Sequence, residues 1–155
     1  MHTGVVGLLF ALMVLYGGCE WWSERPVKPS PKAAKIDRLF ENSGFKYTQL
    51  GTSVWTVECE SNTVLVGGGP DTFVAFMTIA KKGKFQITAE SMSEMLKLAA
   101  ELDQVKFVID DEGDLAIRSD FRVGLMDQAT FKDTLLRVSL GYDQGVSRIA
   151  PFLIK

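Results

Sequence analysis

The sequence predicts an α+β domain in which a small antiparallel sheet is flanked by helices, in the order α-β-β-β-β-α-β-β-α. Three observations carry that prediction. Residues 53–59, 105–109 and 115–117 alternate apolar and polar with the period of two that a half-buried strand requires. Stretches beginning near residues 36, 91 and 130 instead space their apolar side chains three and four apart, as an amphipathic helix does. Short turns at Gly51-Thr52 and Asp111-Glu112-Gly113 join strand to strand as hairpins.

Taken in order, Ile36, Leu39, Phe40 and Ser43 share one face of a first helix, which Gly44 is placed to stop. Phe45–Leu50 and Ser53–Cys59 form a hairpin, with Trp55, Val57 and Cys59 on one face of its second strand. Thr63–Val66 is a third strand, and Gly67-Gly68-Gly69-Pro70-Asp71 is a turn by composition. Thr72–Ala80 is apolar on both faces, with Phe73, Ala75, Met77 and Ile79 on one and Val74 and Phe76 on the other. Lys81-Lys82-Gly83-Lys84 closes it. Ser91 with Glu94 reads as a capping box ahead of a stripe of Met95, Leu98, Ala99 and Leu102. After the 105–117 hairpin, Thr130 with Asp133 opens the last helix, whose apolar residues are Phe131, Leu135, Val138, Tyr142, Val146 and Ile149. That helix runs through Gly141 and Gly145, each costing roughly 1 kcal/mol against Ala. Pro151 ends it, and a break near Gly141 is the alternative.

The N-terminus has a different character. No Asp, Glu, Lys or Arg occurs before residue 19, and residues 5–16 are apolar. Such a run rises about 18 Å as a helix, short of the roughly 30 Å hydrocarbon core and suited to the apolar region of a signal peptide. Leu15-Tyr16-Gly17-Gly18-Cys19 resembles a bacterial lipobox, in which small residues admit the peptidase and the Cys thiol takes a diacylglyceryl group. The resemblance implies a signal peptide over residues 1–18, lipidation at Cys19, and a lipoprotein of the bacterial cell envelope facing the periplasm or the exterior. A plain secretory signal, giving a secreted protein, an uncleaved anchor and a buried apolar segment are the alternatives. Trp21 and Trp22 suit the depth where indoles sit between headgroups and acyl chains. Pro26, Pro29 and Pro31 among Arg25, Lys28, Lys32 and Lys35 make residues 19–34 an extended tether, leaving 35–155 as the folded domain.

Composition excludes several function classes. A net charge of −2 and a pI near 5.4 argue against a general nucleic-acid binder. The single histidine, His2, lies in the segment expected to be removed, so imidazole-dependent serine, cysteine or zinc chemistry has no base or ligand. Cys59 reads as a buried, inert thiol. Val66-Gly67-Gly68-Gly69-Pro70 lacks the Lys and Ser or Thr of a phosphate loop. The acidic run Asp110, Asp111, Glu112, Asp114 fails as a calcium loop, because the places for Gly and the bidentate Glu hold Leu115 and Phe121. No catalytic residue, metal ligand or cofactor is therefore expected.

Three stretches carry a family resemblance: Ile36 to Phe45, ending a helix in Ser-Gly-Phe; Met95-Leu96-Lys97-Leu98-Ala99-Ala100-Glu101-Leu102; and Lys106 to Leu115, leading through Phe121-Arg122-Val123-Gly124 into the last helix. With the element order, they resemble the YbjN family and, more distantly, the type III secretion chaperone fold, over roughly Lys35 to Pro151. The resemblance implies an α+β domain that is usually dimeric and binds proteins rather than turning over substrates. The expected function is thus that of a non-catalytic envelope lipoprotein, homodimeric, whose YbjN-like domain binds another protein in a chaperone-like or scaffold role. A sensory or regulatory role and a carboxylate-dependent enzyme are the alternatives. The expected binding residues are Val74 and Phe76. If helices cover one side of the sheet, these two lie on the open side near Val108, where a dimer mate, a client peptide, the final helix or lipid would cover them. Burial within the protomer is the competing reading, since a register slip of one residue exchanges the faces.

Overall fold

The computed structural model describes residues 31–69 and 71–154. The expected signal peptide, Cys19, the two tryptophans and the tether as far as residue 30 lie outside them. α1 (Pro31–Glu41) opens four residues ahead of the boundary at 35 read from the sequence, with proline at its first position, where a missing N–H costs nothing. β1 (Tyr47–Gly51), β2 (Val54–Cys59), β3 (Asn62–Gly68) and β4 (Thr72–Ala80) follow, then α2 (Ala89–Glu101), β5 (Lys106–Ile109), β6 (Leu115–Arg122) and α3 (Gln128–Ile149), with single 3-10 turns after β6 and α3. The predicted element order is the observed one.

All six strands form one antiparallel sheet in the order β1-β2-β3-β4-β6-β5. The chain leaves β4, crosses through α2 and returns two places away, so that β6 pairs with β4 and β5 is left at the rim. The three helices cover one face. Trp55, Val57, Cys59, Val64, Val66, Phe73, Ala75 and Ile117 all point toward them and are buried. Phe40 of α1 is the hub: its ring lies 5.0 Å from Trp55, 5.1 Å from Phe131 and 5.2 Å from Tyr47. α1 stops as predicted, with Gly44 at φ +77° and the Ser43 hydroxyl donating to Phe40 O while accepting from Phe45 N.

Two helix starts differ from the sequence reading, and for one reason. Thr88, not Ser91, caps α2: Thr88 Oγ1 accepts from Ser91 N, and Ser91 Oγ accepts from Thr88 N. Asp127, not Thr130, caps α3, its carboxylate accepting from Thr130 N at 2.7 Å. In both, the residue read as the cap sits at the third helical position, where a cap three residues upstream reaches its N–H. Glu94 and Asp133 instead bridge Lys97 and Arg137 on the helix surfaces.

α3 is continuous over 22 residues, without a break at Gly141. A Cβ at Gly141 would collide with the Cδ1 of Ile117, and one at Gly145 would lie 3.1 Å from Phe107 Cε1 and 3.2 Å from Ile79 Cδ1. The glycines that weaken the helix are what let it lie close against the sheet. The glycine turn also begins later than expected: Gly67 and Gly68 belong to β3, pairing with Val74 and Phe73. A Cβ at Gly68 would strike the Thr72 carbonyl, so this reversal excludes any larger residue.

Candidate functional site

The sheet face away from the helices is where the predicted binding residues fall. Cross-strand partners share a face, and one row across it reads Thr56, Leu65, Phe76, Arg118, Lys106. A neighbouring row reads Val54, Gly67, Val74, Asp120, and Ala116 pairs with Val108 beside them. Val74 and Phe76 therefore stand on the open face, half-buried by their strand neighbours and, among the described residues, crossed by no helix. Because Gly67 contributes no side chain between Val54 and Val74, the surface dips. The result is a shallow hollow of about 290 Å³ with Val74, Phe76, Val108 and Ala116 as its apolar lining and Asp110 and Arg118 at its rim.

The charges around it are paired. Arg118 Nε donates to Asp120 Oδ1 at 2.6 Å, and Lys106 bridges the other carboxylate oxygen. Burial raises the Asp120 carboxyl, but those hydrogen bonds outweigh it and hold the group below its ordinary value. Asp110 Oδ1 accepts from Glu112 N at 3.0 Å and Asp114 N at 2.8 Å, so its role is to build the β5–β6 turn. Asp114 is buried, bound by Lys81 Nζ and by the backbone N–H of Lys82. The acidic run thus spends two of its carboxylates on the fold. Among the described residues no group of three or more His, Cys, Asp or Glu could hold a metal ion. Cys59 is buried and its thiol is pushed up to about 11, first by desolvation and then by Glu60, so it is not primed as a nucleophile.

A second apolar surface has no counterpart in the sequence reading. Met92, Met95, Leu96 and Ala99 of α2 border a hollow of about 280 Å³ with Lys106 and Phe107 of β5. The predicted stripe was correct for Leu98 and Leu102, which are buried, but Met92 and Leu96 lie beside it and remain exposed. The signal that could have found them is a second stripe, 92-95-96-99, on the flank of the first.

No family model matches the chain, and no curated protein does. Solved structures do match. A chain of the heterodimeric ExoU–SpcU complex from the type III secretion system of Pseudomonas aeruginosa superposes with a TM-score of 0.56 at 18% identity, over 76% of this chain and 97% of that one. YbjN from E. coli, a candidate transcription regulator, superposes with a TM-score of 0.55 at 9% identity, over 79% of this chain and 95% of that one. At these identities the likeness is one of fold. The chain has a YbjN-like, type III secretion chaperone-like α+β fold.

Proposed function

We propose that the protein is a non-catalytic, lipid-anchored protein of the bacterial envelope, held at the membrane through Cys19 and the tether ahead of α1, residues 19–30. Its YbjN-like domain, which begins with α1 at Pro31, acts as a homodimer and takes a protein partner on the open face of the sheet through Val74 and Phe76. The observation that carries the reading is the apolar hollow around those two side chains. It is concave, and the charges beside it are engaged within the fold, Arg118 and Lys106 with Asp120 and Asp110 with the backbone N–H groups of Glu112 and Asp114. Occurrence of the same fold in a heterodimeric secretion-system complex supports protein binding. The likeness to YbjN supports a second reading, in which the partner belongs to a regulatory rather than a chaperone-like pathway.

Two experiments test it. Phe76→Asp places a charge in the hollow without touching the helix-covered core, so partner capture should fall while the thermal midpoint holds; unfolding would identify Phe76 as core instead. Intact mass after membrane extraction should give a chain beginning at Cys19 with a diacyl or triacyl adduct. An unmodified chain that retains residues 1–18 would overturn the anchor.

A further inference from the structure

The two ends of the sheet differ in charge. Antiparallel pairing gathers the β1–β2 turn, the β3–β4 turn and the exit from β6 at one end, and the β2–β3 turn, the exit from β4 and the β5–β6 turn at the other. At the second end, residues 58–61, 81–84 and 110–114 hold two, three and four charged side chains. At the first, residues 51–54 and 67–70 hold none. What this first end shows to solvent is apolar. Leu125 is 82% exposed, the highest value among the large apolar side chains described, and Leu50, at the β1–β2 turn, is 60% exposed.

Leu125 is fixed in that position. It closes the 3-10 turn Val123–Leu125, and Val123 and Met126 on either side of it are buried. Val123 N donates to Asp71 O at 3.1 Å, and Met126 N donates to Val123 O at 3.3 Å. Lys35 Nζ donates to Gly124 O at 3.2 Å, which ties α1 to the same turn. The chain ahead of α1 therefore leaves the domain at its apolar end. Of the charges nearest Leu125, Lys35 and Arg122 are basic, while the Asp127 carboxylate is turned to Thr130 N as the cap of α3. Arg25, Lys28 and Lys32 add basic charge just upstream. Apolar side chains ringed by basic ones are the composition that a bilayer surface accepts.

We infer that this end of the domain docks on the phospholipid surface, with Leu125 and Leu50 entering the boundary between headgroups and acyl chains and Lys35 and Arg122 lying among the headgroups. This rests on the lipid-anchor reading above and adds an orientation to it. With Cys19 in the bilayer, the twelve residues 19–30 span at most about 40 Å. The contact is then made within one molecule at high effective concentration, so the weak affinity of a few side chains suffices. One consequence is that the strands stand upright on the membrane, and the open face with Val74 and Phe76 stays clear for a partner approaching from the side.

The test uses the full chain in vesicles of phosphatidylethanolamine and phosphatidylglycerol, with a nitrobenzoxadiazole dye on one introduced cysteine at a time. The parent chain, which carries Cys19 and Cys59, is treated alike and gives the background. Dye at Leu125→Cys should emit at shorter wavelength than in water and be quenched by lipids bearing a nitroxide just below the headgroup. Dye at Ile87→Cys, where the native side chain is 61% exposed beside the charged end, should emit as in water. In a chain labelled at Leu50→Cys, adding Leu125→Asp should abolish the shift at residue 50 while the thermal midpoint holds, because Leu125 lies outside the core. Equal shifts at residues 125 and 87 would overturn the docking, since the dye alone would then account for both. Intact mass of the same sample separates docking from anchor. An adduct at Cys19 with residue 125 in water sinks the docking and leaves the anchor standing. A shifted dye at residue 125 on a chain without the adduct keeps the docking and sinks the lipidation. With neither adduct nor shift, both fall.

Discussion

Gly141 of α3 lies directly over Ile117 of β6, so close that a single methyl group would overlap the Ile117 Cδ1. Helix and sheet meet here backbone against side chain. Ile117 is fully buried beneath the glycine, and Leu102 closes the site from α2.

Gly141→Ala is accordingly a contest between two effects of similar size. Alanine gains about 1 kcal/mol of helix propensity, whereas overpacking a rigid core costs about 1–3 kcal/mol. The overlap with Ile117 is severe, so the variant should lose about 1–2 kcal/mol, read as a lower urea midpoint at unchanged slope. At Gly145 the neighbours stand 3.1 and 3.2 Å from the added Cβ and need give only slightly. Gly145→Ala should therefore be near neutral. A Gly141→Ala protein more stable than the parent would show that the close approach is not real.

Asp114 and Lys81 form a pair whose stabilisation depends on pH at both ends. Hydrogen bonds from Lys81 Nζ and Lys82 N hold the Asp114 carboxyl below its ordinary value. Its contribution is therefore complete above the ordinary carboxylate range and is lost as pH falls through the lowered value. The same hydrogen bond raises Lys81, whose contribution is complete below the ordinary lysine value and is lost as pH climbs through the raised one. Asp114→Asn should lower the urea midpoint near neutrality and flatten the decline on both the acid and the alkaline side. Parallel pH profiles for parent and variant would refute the pairing.

Cys59 should be silent toward thiol reagents in the native protein. Its side chain is buried on the helix-covered face, and the raised pKa leaves almost no thiolate at pH 8. Labelling of a Cys19→Ser chain by a disulfide reagent should begin only as urea crosses the unfolding transition. Rapid labelling of the folded chain would mean that β2 and β3 open locally.

Much of this architecture is legible in the sequence because hydrophobic period reports which face of an element is covered. The alternation of Trp55, Val57 and Cys59 placed one face of β2 correctly, and the doubly apolar pattern of β4 separated Val74 and Phe76 from Phe73 and Ala75. Period is blind to where an element begins. At α2 and α3 the third helical residue, Ser91 or Thr130, passes for the cap, because Ser and Thr suit both places and only the direction of the hydrogen bond distinguishes them. Period is equally blind to what lies beside an exposed stripe. Met92 and Leu96 look like ordinary surface residues until β5 is known to run at the rim with Ile109 exposed. The role of Asp114 was hidden for a similar reason, since its partners lie 32 and 33 residues away on the far side of α2.

Residues 152–154, beyond α3, are stitched to the segment that leads into α2: Gln86 N donates to Phe152 O, Ile154 N to Lys84 O, and Phe85 pairs with Leu153. During synthesis this stitch can form only after residues 152–154 have left the ribosome, when every other element of the domain has already been made. Residues 84–86 are made early and must wait, unclamped, while the remainder of the domain is translated. The approach to α2 is thus a timing point in biogenesis, and deleting residues 152–154 would leave that approach permanently unfastened.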